Sequence, residues 1–168
     1  MDTTTIILCL AIVGLLASFL SYIFWQQRKN AKADEKNEAI TKNLRLQAYE
    51  RLMLLTDRIA LPNVISRVSQ PGIGARDMQH LITRSVKEEF DHNITQQIYV
   101  SPEAWTAVKN LKDQNMLIVN QLASTLPPTA TALDLNKLLL EYLMHDRKGQ
   151  LHEVVSEVIA YAAKKAAP

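Results

Sequence analysis

Apolar positions follow two patterns along the chain. Across residues 6–25, IILCLAIVGLLASFLSYIFW, they are nearly continuous: twenty residues carry no charge, and twelve of them are Leu, Ile, Val or Phe. At about 1.5 Å per residue, a helix of that length reaches roughly 30 Å, the thickness of a bilayer's hydrocarbon core. Each of those twelve favours insertion by about 0.3–0.6 kcal/mol near the helix centre. A transmembrane helix is expected there. Residues 26–43, QQRKNAKADEKNEAITKN, are polar and hold no Pro or Gly. They should continue the helix as an exposed stalk, with Glu38 and Lys42 at the favourable i,i+4 spacing.

From residue 44 the apolar positions recur every third or fourth residue, the period of helices that pack one face on a core. Leu44, Ala48, Leu52, Leu55 and Ile59 form the first stripe. It should stop near Ala60, because Pro62 disfavours helical geometry in the preceding residue, while Pro62 itself can open a short helix through Val68. Pro71-Gly72-Ile73-Gly74 is a break. Asp77 starts the next expected helix, with Met78, Leu81, Ile82, Val86, Phe90 and Ile94 on its apolar face. Ile98-Tyr99-Val100 is strand-like but too short for a sheet, and is expected to be a buried connection. Ser101-Pro102-Glu103 combines an N-cap, a first-turn proline and a first-turn acid. It opens a helix bearing Trp105, Val108, Leu111, Met116, Val119 and Leu122, which should end before Pro127-Pro128. Two further helices follow on either side of Gly149. The first carries Leu135, Leu138, Leu139, Tyr142 and Leu143, the second Leu151, Val154, Val155, Val158, Ile159 and Ala162. The reading is all-α: a transmembrane signal-anchor (1–25), a juxtamembrane stalk (26–43), and a soluble irregular bundle of about five helices (44–168).

Charge sets the orientation. Arg28, Lys29 and Lys32 follow the apolar run and only Asp2 precedes it, so the C-terminal part is expected in the cytoplasm, with Trp25 at the headgroup level. A cleaved leader would need a positive n-region and a shorter apolar core, and both requirements fail. Lipoprotein processing at Cys9, the single cysteine, would want a small residue where Leu8 stands. Beyond Trp25 the 19 basic and 16 acidic residues give a formal +3, too mild and too mixed for a nucleic-acid surface. Protein-protein association, with another chain or a second copy, and the lipid bilayer are the expected partners.

Candidate chemistry is sparse. Glu89-x-x-His92 has the i,i+3 spacing that di-iron bundles use, but no second such pair accompanies it: Glu141 and His145 stand at i,i+4. There is no His-x-x-x-His, no Gly-x-Ser-x-Gly, and no Gly-Lys-Ser/Thr after the Pro71 turn. No catalytic residue and no cofactor is expected. Trp105 reads as core, and Tyr99 as a candidate for an interface.

The segments EFDHNITQQIYVSPEAW, residues 89–105, and residues 49–68 resemble an uncharacterised family of small single-span membrane proteins from Bacteroidota. That resemblance implies a bacterial inner-membrane protein with a cytoplasmic helical domain, and carries no activity or cofactor with it. The function expected is a membrane-anchored, non-enzymatic helical interaction domain: an adaptor, a scaffold or an accessory subunit. The alternatives are a tethered bundle that binds metal or a small ligand through Glu89 and His92, and a lipid-surface domain that uses the basic flank.

Overall fold

The computed structural model describes residues 2–145 and 151–166, leaving out the side chains of 3–13, 15–17, 31, 33 and 34. Every regular element among the described residues is helical: α1 Thr3–Ile59, α2 Leu61–Val68, α3 Ala75–His92, a 3-10 helix Ile94–Ile98, α4 Pro102–Thr125, α5 Ala132–His145 and α6 Leu151–Ala166. The chain divides into two units, Met1–Asn43 and Leu44–Pro168.

In the first unit, residues 26–43 are helical. Lys42 pairs with Glu38 at 3.6 Å, and Thr41 Oγ1 donates to the Asn37 carbonyl. Arg28 lies 5.7 Å from the Phe24 ring and Lys29 5.4 Å from the Trp25 ring, while Lys32 is exposed. Among the described residues no helix is long and apolar enough to cross a membrane. Most side chains of the expected span, Cys9 among them, lie outside the described residues.

The second unit has one apolar core. The end of α1 contributes Ala48, Leu52, Leu55 and Ile59, a stripe at 3.6-residue spacing, together with Tyr49. Leu44, expected on that stripe, is exposed instead. The last carbonyls of a helix lack intrahelical donors. Here three side chains supply them. Asn63 Nδ2 donates to the Asp57 carbonyl (2.9 Å), Arg67 Nη2 to Arg58 (3.1 Å), and the buried Asn115 Nδ2 to Ile59 (2.7 Å). The α1 terminus is thus bonded to α2 and α4.

α3 begins two residues before Asp77 and buries Met78, Ile82, Val86 and Phe90. Ile94 falls outside it and is exposed. The buried connection expected at Ile98-Tyr99-Val100 is found only at its last residue: Ile98 is 73% exposed and Tyr99 is also exposed. The physical reason is local. The chain leaves α3 through 3-10 bonds, Gln96 N–H to the Asn93 carbonyl and Tyr99 N–H to Gln96, and the sequence ITQQI has no apolar stripe to turn inward. Only Val100 packs against the core from this connection. Ser101 caps α4 as expected, its Oγ accepting from Ala104 N–H at 3.3 Å. Trp105 packs against the core, its ring 5.1 Å from that of Phe90.

α5 opens on a capping box: the Asp134 carboxylate accepts from Thr131 N–H (2.8 Å), and Asp134 N–H donates to Thr131 Oγ1 (3.3 Å). Its inner face is Ala132, Leu135, Asn136 and Leu139. α6 buries Val155 and Ile159, while Val154, expected on that stripe, is exposed. Residues 146–150, with the break expected at Gly149, lie outside the described residues.

Candidate functional site

Two connections meet at one end of the helical unit. Residues 69–74 link α2 to α3, and residues 126–131 link α4 to α5. They are joined by an antiparallel bridge between Gly74 and Thr131: Ala75 N–H donates to the Ala130 carbonyl (2.9 Å) and Ala132 N–H to Ile73 (3.0 Å). Pro71 precedes Gly72, whose φ of +81° is a conformation glycine adopts without strain. Between these strips and α5 lies a groove of about 530 Å³, walled by Ile73, Ala132, Leu133 and Asn136 among others, none of them charged.

Asn136 is 7% exposed. Its Nδ2 donates to Ser69 Oγ at 3.2 Å, while its Oδ1 is buried and accepts no hydrogen bond. Leaving such an acceptor unsatisfied costs about 1–3 kcal/mol. No sequence motif marks this residue. The available signal was its register: Asn136 stands among Ala132, Leu135 and Leu139 on the apolar face of α5. Asn115 stands likewise between Leu111 and Val119. A polar residue on a core stripe marks either a bonded strut, as at Asn115, or an orphan, as at Asn136.

The sequence-predicted pair Glu89 and His92 lines a different cleft, of about 490 Å³, with Arg51, Leu54, Arg58 and Asn93. Glu89 is engaged. Arg58 Nε donates to its Oε2 at 2.8 Å, Arg58 Nη2 donates to Oε1, and Arg67 stands 3.9 Å away. The Arg58 hydrogen bonds hold the Glu89 carboxyl below the ordinary carboxylate range, against the opposing effect of burial. The charges of Arg58, Arg67 and His92 act in the same direction as those bonds. A carboxylate held bidentately by a guanidinium would have to give up that pairing to ligate a metal. His92, at the end of α3, is exposed. Among the described residues, no group of three or more His, Cys, Asp or Glu could hold a metal ion.

A third hollow of about 380 Å³ lies between Tyr49, the start of α4 and α6. Tyr49 Oη accepts from Ser101 N–H at 2.9 Å, so its polar tip is used in fixing the start of α4. Glu103 has its carboxyl held low by its own backbone N–H and by the Ser101 hydroxyl.

The surface also carries large apolar side chains. Leu133 (75% exposed), Leu140 and Met144 (82%) lie at i, i+7 and i+11 of α5, within one narrow stripe. Tyr161 and Val154 are exposed on α6, seven residues apart. Tyr99, the predicted interface residue, is exposed beside Ile98. The basic flank of the expected span, Arg28, Lys29 and Lys32, belongs to the other unit.

No curated protein and no solved structure matches this chain. A family of unknown function, DUF7935, matches residues 1–164, nearly the full length, and the chain belongs to that family.

Proposed function

We propose that the chain is a membrane-anchored, non-enzymatic helical interaction domain, acting as an adaptor, scaffold or accessory subunit of an assembly in the bacterial inner membrane. In this reading residues 6–25 are the signal-anchor, the N-terminus is outside, and the unit from Leu44 onward is cytoplasmic. The uncharged run of twenty residues and the following Arg28, Lys29 and Lys32 support the anchor and its orientation. The observation that carries the interaction reading is the stripe Leu133, Leu140 and Met144: three large apolar side chains left to solvent on one line of a helix whose other face is well buried. Contiguous exposed apolar surface marks contact sites. The ion pairing of Glu89 weighs against a metal-binding role for that cleft.

The test uses the full chain. Tagged wild type and a Leu133→Ser/Leu140→Ser/Met144→Ser variant are crosslinked in cells, solubilised in mild detergent and weighed by native mass spectrometry. Wild type should appear in a complex of reproducible mass, homomeric or heteromeric. The variant, folded by circular dichroism, should lose it. A lone monomer for both proteins overturns the proposal.

A further inference from the structure

We infer that residues 44–58 of α1 form a contact with the same stretch of a second copy of this chain, the two helices side by side and parallel. This rests on the interaction reading above and names one partner for it. One face of the stretch buries Ala48, Leu52, Leu55 and Ile59. The other is open, with Gln47, Glu50, Arg51, Leu54, Asp57 and Arg58 exposed. At about 100° of turn per residue the open face has an order. Gln47 and Leu54, the latter 63% exposed, run along its middle. Arg51 and Arg58 lie about 40–60° to one side of Leu54, and Glu50 and Asp57 about 40–60° to the other. The face thus carries a midline between a basic edge and an acidic edge.

The charges identify the occupant. Arg58 is held by Glu89, and Asp57 accepts from Asn63. Arg51 and Glu50, by contrast, make no hydrogen bond or ion pair among the described residues. The carboxylates near the end of α3 are committed elsewhere: Glu89 to Arg58, Glu88 to Arg84 and Asp91 to Lys87. The cleft of about 490 Å³ that Arg51 lines therefore offers a guanidinium without a counter-charge. An acidic segment of a different protein would meet Arg51 and leave Glu50 unmatched. A second copy meets both. Rotation by half a turn about an axis parallel to the helices brings the basic edge of each copy against the acidic edge of the other. Arg51 then faces the partner's Glu50, and Glu50 faces the partner's Arg51. An antiparallel pair would set basic edge against basic edge, which repels. Edge charges of this kind fix the orientation of paired helices. The proposed anchor selects the same sense, since both copies enter this stretch from one membrane. Confinement there raises their effective concentration, so a contact of modest area is occupied.

The test is disulfide trapping in membranes of cells that express the full chain in a Cys9→Ser background, which removes the single native cysteine. Leu54→Cys and Gln47→Cys, both on the midline, should each give a covalent dimer on mild oxidation. Arg45→Cys, exposed on the side of α1 opposite Leu54, should stay monomeric. A parallel pair requires both midline positions to link, because each then faces its own copy. An antiparallel pair centred on Leu54 links that position alone. Added to Leu54→Cys, Arg51→Glu or Glu50→Arg should each slow dimer formation about tenfold, since two symmetric attractions become repulsions. Glu50→Arg and Arg51→Glu together should restore it, because the edges exchange sign and remain complementary. Damage to the fold would not reverse in this way. The inference fails if the midline cysteines stay monomeric, if only Leu54→Cys links, or if Arg45→Cys links as readily. It fails equally if the double reversal restores nothing, or if the product joins one copy to a different protein. Should the midline cysteines stay monomeric while the crosslinked complex of the wild type persists, the α1 assignment falls and the interaction reading stands. A lone monomer in both experiments ends both.

Discussion

The two buried asparagines allow a sharp test, because the same substitution should act on them in opposite directions. Asn115 Nδ2 reaches the Ile59 carbonyl at 2.7 Å, and both groups are closed to solvent. Asn115→Leu removes that donor and leaves the carbonyl at the end of α1 without a partner where water cannot replace it. The cost of a stranded buried acceptor is about 1–3 kcal/mol. For a helical unit of this size, about 4 °C of melting temperature corresponds to each kcal/mol, so a fall of about 4–12 °C is expected. Asn136→Leu removes the stranded atom itself. Its bond to Ser69 Oγ is lost, but that hydroxyl lies at the groove, where water can satisfy it. The melting temperature should hold or rise by a few degrees. The assay is thermal unfolding of the full chain in mild detergent, followed by Trp105 fluorescence in a Trp25→Phe background. Trp105 is then the sole tryptophan and reports on its contact with Phe90. The reasoning is refuted if Asn115→Leu melts with the parent, or if Asn136→Leu falls as far as Asn115→Leu. The second result would mean that Oδ1 is satisfied by a tightly held water.

Three further outcomes follow from the geometry. The Glu89 carboxyl is held below its unfolded value, so its contribution to stability is complete above the unfolded pKa of about 4.3 and is lost as pH falls through the lower folded value. Melting temperature should therefore drop more steeply below about pH 4.5 in wild type than in Glu89→Gln, and parallel curves would contradict the pairing with Arg58. Ser101→Ala removes the α4 cap and should destabilise by about 1 kcal/mol in thermal melts, whereas Ser101→Asn should be close to neutral. Gly72→Ala meets no neighbouring atom but forces an L-residue to φ +81°, so a loss of about 1–2 kcal/mol is expected from backbone strain alone; an unchanged melting temperature would show that the turn relaxes.

Much of the helical unit was legible because local chemistry set it. The Pro62 start of α2, the Gly72 turn, the Ser101 cap and the stripes of α3 and α4 each depend on residues within a few positions of one another. Failures came where tertiary context decided. Ile98-Tyr99-Val100 has strand-forming side chains, yet Ile98 ends a 3-10 helix, Tyr99 turns the chain, and two of the three are left exposed. The Glu89 pairing was invisible because Arg58 is 31 residues away in sequence, and the i,i+3 spacing of Glu89 and His92 says nothing of a guanidinium. Asn136 was readable as a polar interruption of an apolar stripe. Whether it was bonded depended on Ser69, 67 residues away in the chain.

Leu133 links the two surface features. It stands on the groove wall with Asn136, and it begins the exposed stripe that runs to Met144. Eleven residues of helix separate its ends, about 16 Å. Three apolar side chains expose at most a few hundred Å², short of the roughly 800 Å² per partner usual in a stable complex. The stripe alone would give a weak contact with no fixed register, since apolar burial is non-directional. A modest combined surface is adequate if the proposed anchor holds. Confinement of two partners by short linkers raises their effective concentration to the millimolar range, where weak contacts are occupied. Substitutions on the stripe should then reduce occupancy of the complex, whereas Asn136→Leu, which leaves Leu133, Leu140 and Met144 in place, should leave stripe-mediated association intact.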